Sequence, residues 1–296
     1  MNDTKSLQRV RRLIRVVRRM LSWVKSLAEN KLFLVGSIVL ACFVLLAIAP
    51  GLFAPYGYLE TDAINRFQPP TFKHLLGTDR FGRDVLSRLI YGTRTSLRVS
   101  FISVTFALFS GGTLGLIAGF YGNIIDQVLS RLMDVLFGLP MMLLAIILAA
   151  ILGSGETNAI IAIAVVFSPI FFRVTRGSTI QEKEKDYVSA ANACGASNFR
   201  IMFSGISRNV VAPVVVQGAV QFSFAIITEA ALGYLGLGVQ PPTPSWGSTL
   251  SAGKDLLQLA PWISMFAGVF IMLAILSSNM MSDGLRDILD PKMRQA

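Results

Sequence analysis

Six long stretches of this chain carry almost no charge, and that pattern restricts its possible folds more than any other feature. They are Leu32–Ala54, Leu97–Tyr121, Val135–Leu152, Ala159–Phe172, Val210–Leu237 and Trp262–Met281. A bilayer core about 30 Å thick takes roughly 20 apolar residues of α-helix to cross. Backbone groups in lipid must satisfy one another, so a span is either a helix or part of a closed barrel. Apolar runs this long, without strict alternation, specify helices. Ala159–Phe172 is the shortest, and the span it marks is expected to extend at one or both ends. Of the 296 residues, 53% are hydrophobic and 15% charged, against about 25% charged in a soluble domain. The sequence therefore predicts an all-α membrane protein with six transmembrane helices.

The formal net charge is +10, which raises two classes of partner, nucleic acid and the membrane surface. The basic residues flank apolar spans instead of lining a polar groove, so lipid is expected as a partner and nucleic acid is not. Residues 1–31 hold Lys5, Arg9, Arg11, Arg12, Arg15, Arg18, Arg19, Lys25 and Lys31 against Asp3 and Glu29. The excess of basic residues on cytoplasmic loops places this end in the cytoplasm. Six spans return the C-terminus, with Arg286, Lys292 and Arg294, to the same side. The loop Pro55–Ser96 argues the other way, with Arg66, Lys73, Arg80, Arg83, Arg88 and Arg94, although the rule weakens in long loops. Within residues 1–31, Leu7, Val10, Ile14, Val17, Leu21 and Val24 recur every three or four positions. That period fits a basic amphipathic helix on an anionic leaflet; a solvated basic arm is the alternative. The apolar run after it is too long for a cleavable leader, so 32–54 is expected to be an anchor. An extracytoplasmic loop at 55–96 and a membrane core at 97–296 complete the organisation. A helix along the outer face is expected over Arg83–Arg98.

Several chemistries find no support in the sequence. Cys42 and Cys194 have no CxxC spacing, and His74 has no neighbouring ligand, so no metal is assigned. His74 reads as a surface or loop polar group. No Ser/His/Asp set, HExxH or carboxylate pair appears, so no catalytic residue is assigned. The run Gly247–Asp255 fails as a phosphate loop on its glycine spacing and on Asp255, where Ser or Thr would bind Mg²⁺. No cofactor is expected. Gly36, Gly111, Gly112, Gly115 and Gly119 suit close helix packing. Glu229, inside an apolar run, admits two readings: an intramembrane functional acid, or a helix-contact residue bonded to a neighbour. Asp126, Arg131 and Asp134 read as salt-bridge or headgroup contacts, and Arg173 and Arg176 as the inner end of the fourth span.

The most informative polar segment is the inner loop 181–209. Asp186 to Cys194 forms a short helix on the strength of Ala190, Ala191 and Ala193. Gly195 suits the left-handed position past a helix end, and Ser197 suits the N-cap of a following helix. A slim, alanine-rich helix can enter a groove on a partner protein.

The stretch D-Y-V-S-A-A-N-A-C-G-A-S (Asp186–Ser197) resembles the EAA-type loop of ABC importer permeases. Tyr187, Ala190, Ala191, Gly195, Ala196 and Ser197 stand at motif positions. Ser189 occupies the place of the family's acidic residue, and Ser207-Arg208 the place of its Leu-Pro. H-L-L-G-T-D-R-F-G-R-D-V-L-S-R-L-I-Y-G-T-R-T-S-L (His74–Leu97), G-Y-L-G-L-G-V-Q-P-P-T-P-S-W-G (Gly233–Gly247) and D-G-L-R-D-I-L-D-P-K (Asp283–Lys292) resemble signatures of the second permease subunit in dipeptide, oligopeptide and nickel importers. The resemblance covers the chain from Lys31 onward. It implies a type I ABC importer (MetI-like) permease fold in a bacterial inner membrane, with Asp186–Ser197 coupling to an ATPase. It implies as partners a second homologous permease, two cytoplasmic ATPase subunits and an extracytoplasmic substrate-binding protein, with short peptides as substrate. Nickel chelates, glutathione and opines use similar permeases. A membrane scaffold or sensor, docking a signalling partner through the same loop, is the alternative of another class.

Overall fold

The computed structural model describes residues 31–289; the amphipathic helix expected in 1–31 lies outside them, save Lys31. Nine principal helices, α1 Lys31–Ile48, α2 Val85–Tyr121, α3 Asn123–Phe137, α4 Met141–Leu152, α5 Glu156–Lys183, α6 Asp186–Ala193, α7 Ser207–Tyr234, α8 Trp246–Gly253 and α9 Pro261–Leu289, account for most of this region. Five continuous helical runs are long and apolar enough to cross a membrane, and α3 with α4 makes a sixth candidate span, bent by 90°. The all-helical expectation holds, and no strand forms among the described residues.

Several boundaries differ from the sequence reading. The first span, expected over Leu32–Ala54, ends at Ile48, and Pro50 starts a separate turn, Pro50–Phe53. The third span is not continuous over Val135–Leu152: it breaks at Gly138–Pro140. Proline clashes with a helical conformation at the residue before it, and Gly138 adds little helix propensity, so α3 turns away and α4 restarts after Pro140. The fourth span extends at both ends, to Glu156 and Lys183. The helix expected along the outer face at Arg83–Arg98 is instead the first turns of α2 itself.

Small residues set how closely the helices approach. A side chain at Gly111 or Gly115 would run into the backbone carbonyl of Ser168 or Phe172. At Gly119 an added Cβ would lie 2.8 Å from the Arg176 carbonyl oxygen. This four-residue spacing lets α2 lie against α5 backbone to backbone. Gly112 is less constrained: a Cβ there would make only an ordinary contact with α5, 3.7 Å from Thr175 Oγ1. Gly36 does the same job for α1, where a Cβ would stand 2.7 Å from the Cβ of Met280 on α9.

The segment before α2 is locked by its own side chains. Asp84 caps α2, its Oδ2 accepting from Ser87 N at 2.8 Å and Ser87 Oγ at 2.7 Å. Its Oδ1 lies 3.0 Å from His74 Nδ1. His74 is therefore buried, not a surface group. Asp79 accepts from the backbone amides of Phe81 and Arg83 and from the Arg83 guanidinium. The His74–Leu97 signature thus folds as a cap that starts α2.

Candidate functional site

At the far end of the bundle from this cap, α5 hands over to α6 and α7. Helix α6 begins three residues after α5 ends, and its outer surface is open: Asp186, Tyr187, Ser189 and Ala190 are exposed. Val188 is its one fully buried residue, packed with Ile201, Met202 and Ile206. Ala191 and Ala196 are half-buried against the same cluster. The helix is thus held on one side and free on the other.

The turn after α6 follows from its sequence. Gly195 adopts φ +75°, a conformation that costs an L side chain about 1–2 kcal/mol. Its amide donates to Asn192 O at 2.9 Å, and the Ala196 amide donates to Ala191 O at 3.0 Å. These two bonds make a Schellman motif, satisfying carbonyls that the helix end would leave open. Ser197 Oγ then accepts from Arg200 N at 3.4 Å, capping the next helical run as expected.

Side chains tie the loop to both adjoining helices. Glu182, at the end of α5, accepts at Oε2 from Tyr187 O–H (3.0 Å) and from Asn209 Nδ2 (2.9 Å). Asn209 Nδ2 also donates to the Tyr187 oxygen at 3.2 Å, and Lys185 pairs with Glu182 Oε1. Burial raises the Tyr187 phenol above its ordinary pKa, so it stays a hydrogen-bond donor. Lys183 Nζ reaches the Phe120 carbonyl at the end of α2 at 2.5 Å. Helices α5, α6 and α7 thus meet in one polar cluster, and α5 reaches α2 through Lys183.

Sequence reasoning missed two features here. Residues Ile201–Ile206 form a π-helical segment leading into α7, and such segments concentrate at functional sites. Phe199 and Phe203 stack with centroids 4.6 Å apart and remain exposed beside the loop. No local pattern announces a π-helix, but two aromatics four residues apart in a polar loop were a readable signal.

The other singled-out residues lie elsewhere. Glu229 sits about 30 Å further along the helix from Asn209, 1% exposed. Its carboxyl faces Ser96 and Ser245 without a hydrogen bond of normal geometry. The oxygens of both hydroxyls already accept from backbone amides, Ser96 from Trp246 N at 3.1 Å and Ser245 from Ser248 N at 3.1 Å. Their protons remain available to Glu229. Arg176 forks onto Asp126, and Arg173 meets Asp134 at 3.0 Å. These pairs join α5 to α3, as the salt-bridge reading expected of Asp126 and Asp134; Arg131 is exposed and in no ion pair among the described residues.

The family described as "Binding-protein-dependent transport system inner membrane component" matches residues 111–295. The "N-terminal TM domain of oligopeptide transport permease C" matches residues 21–70. A "Dipeptide transport system permease protein DppC" of Alkalihalophilus pseudofirmus is 49% identical over 91% of this chain and 89% of its own. The "Di/tripeptide transport system permease protein DppC" of Pseudomonas aeruginosa is 44% identical over 92% of each chain. The "Glutathione transport system permease protein GsiD" of Pectobacterium atrosepticum is 40% identical over 85% of each. With a glycine-packed helical bundle and a capped, half-exposed loop helix at one end, the chain belongs to the family of binding-protein-dependent transport system inner-membrane components.

Proposed function

We propose that this chain is one of two homologous permease subunits in an ATP-driven importer of short peptides. The other subunits are a second permease, two cytoplasmic ATPases and an extracytoplasmic binding protein that delivers substrate. The observation that carries the coupling role is the arrangement of α6. Its free face, with Asp186, Tyr187, Ser189 and Ala190, is the surface offered to the ATPase, and Ala191, Gly195, Ala196 and Ser197 set the turn behind it. Val188 holds the opposite face, and Tyr187, at the edge of the free one, is bonded through its hydroxyl to Glu182 on α5 and Asn209 on α7. Displacement of α6 by closing ATPase subunits therefore moves two membrane helices together.

Peptide substrates are supported by the relatives' names, which specify dipeptides and di- or tripeptides. Glutathione, itself a tripeptide, is a second reading favoured by one relative at 40% identity. The chemistry of an α-peptide bond or a γ-glutamyl bond is to be read by the binding protein, not by α6.

Cys194 supplies the test, because it is exposed at the turn. In a Cys42→Ser background, a short thiol-to-amine cross-linker in membranes is expected to join Cys194 to an ATPase subunit, with a yield that changes on ATP binding. Labelling of Cys194 by a small maleimide with no ATPase adduct, while uptake of labelled dipeptide persists, would sink the coupling assignment. A scaffold or sensor predicts no peptide uptake at all.

A further inference from the structure

A groove of about 990 Å³ opens between α1, α2, α7 and the C-terminal turns of α9, which contribute Met281 and Leu285. Its α2 wall is a single helical face, carrying Arg94, Arg98, Phe101, Thr105 and Leu108 at three- and four-residue spacing. Gly218 on α7 keeps the floor low. Apart from the two arginines and Thr105, its lining is apolar.

The depth of this groove follows from α2. No charged residue occurs from Val99 to Tyr121, a run that rises about 33 Å at 1.5 Å per residue. That matches a hydrocarbon core of about 30 Å. Arg98 accordingly stands at the edge of the core, and Arg94 one turn further out, at headgroup level. From Arg98 to Phe109, the deepest α2 residue of the groove, the helix descends about 16 Å, close to one leaflet. Arg98 is paired with Glu156 at 2.6 Å. Arg94 is exposed and has no acidic partner among the described residues.

A guanidinium without a counter-ion, above an apolar slot one leaflet deep, is complementary to a phosphodiester joined to an acyl chain. We propose that this groove holds a phospholipid of the leaflet on the side of loop 54–84. Its phosphate bonds to Arg94, and one acyl chain lies against Phe101, Leu108 and Gly218. The proposal is independent of the transported substrate. An occupying helix from another subunit would need to bring an acid to Arg94.

The test uses the full-length protein with its partner subunits in proteoliposomes. These are doped with phosphatidylglycerol or phosphatidylethanolamine carrying a mid-chain diazirine, or with the matching diacylglycerol. Both phospholipids are expected to place photo-adducts on Phe101–Phe109 and Val215–Phe222, and diacylglycerol at least fivefold fewer. Arg94→Gln is expected to cut the groove adducts at least fivefold, and Arg94→Lys to retain most of them. Gly218→Leu is expected to block the acyl chain. A Cβ at Gly218 meets only Leu108 at 3.6 Å and Phe171 at 3.9 Å, both ordinary contacts, so a side chain can start from there without moving the backbone. Labelling of the exposed α4 residues Ile147 and Ile151 serves as a control for ordinary boundary lipid and for intact folding. Equal labelling of groove and α4, insensitive to these substitutions, would overturn the proposal. So would a groove left unlabelled while α4 labels, since another polypeptide would then cover it, and so would diacylglycerol labelling as well as the phospholipids.

Discussion

At Gly195 the backbone sets the requirement, not the surrounding space. An added Cβ there meets nothing within 4 Å, yet φ is +75°. A β-branched residue faces steric strain of about 1–2 kcal/mol in this region, whereas Asn tolerates it. Gly195→Val is therefore expected to loosen the Schellman turn and lower peptide uptake several-fold at unchanged membrane abundance, while Gly195→Asn retains most of it. Uptake assays normalised to membrane protein would show this; equal uptake by both variants would refute it. Glu229 calls for a different comparison. Its buried carboxyl faces two serine hydroxyls, Ser96, which holds α8 against α2, and Ser245, which caps α8. Glu229→Gln keeps an acceptor, while Glu229→Leu leaves buried hydroxyls unpaired at about 1–3 kcal/mol. The expected outcome is a lower melting temperature for the Leu variant alone; equal melting would remove the anchoring role. Both sites differ in how much of them the sequence discloses. Gly195 and Ser197 act through neighbours a few residues away, so their roles are legible in order along the chain. The partners of Glu229 are more than 130 residues upstream or within the next loop, and only the packing of α2, α7 and α8 brings them together.

Element-scale behaviour is clearest where α2 meets α5. Gly115 lies so close to α5 that any side chain would meet the Phe172 carbonyl, whereas a Cβ at Gly112 would rest 3.7 Å from Thr175 Oγ1. Gly115→Leu should force the helices apart, with an overpacking cost of about 1–3 kcal/mol or more. Gly112→Ala should be neutral or slightly stabilising, since Ala gains about 1 kcal/mol over Gly in a helix. Thermal unfolding of the purified transporter in detergent distinguishes the two, and an unchanged midpoint for Gly115→Leu would contradict this packing. The apolar runs located every spanning segment, because length and hydropathy are local properties. They did not locate the break at Gly138–Pro140, where a proline interrupts one run, while Pro169 and Pro213 lie inside continuous helices. Proline alone does not decide that outcome. Neighbouring helices can re-satisfy the freed backbone groups in a membrane, and which prolines receive that help depends on tertiary packing.

For the molecule as a whole, the open question in the sequence was the basic loop at 55–96, which opposes the orientation set by the N-terminal segment. Folding changes the weight of those charges. Arg83 is bonded to Asp79 at 2.6 Å, Arg88 lies 3.8 Å from the same carboxylate, and Arg80 stacks on Phe81. The segment becomes a compact cap in which much of the positive charge is balanced or packed. A domain of this kind crosses largely regardless of charge, while short basic segments beside the spans direct insertion. We therefore expect the cap to face outward and the α6 loop inward, with the exposed Cys194 on the cytoplasmic side. A membrane-impermeant maleimide should label Cys194 in inside-out vesicles and not in intact spheroplasts, in a Cys42→Ser background. A cysteine at Phe72, the fully exposed tip of the cap, should show the reverse. If Cys194 labelled from outside, α6 could not reach a cytoplasmic ATPase, and the coupling role would fall with the orientation.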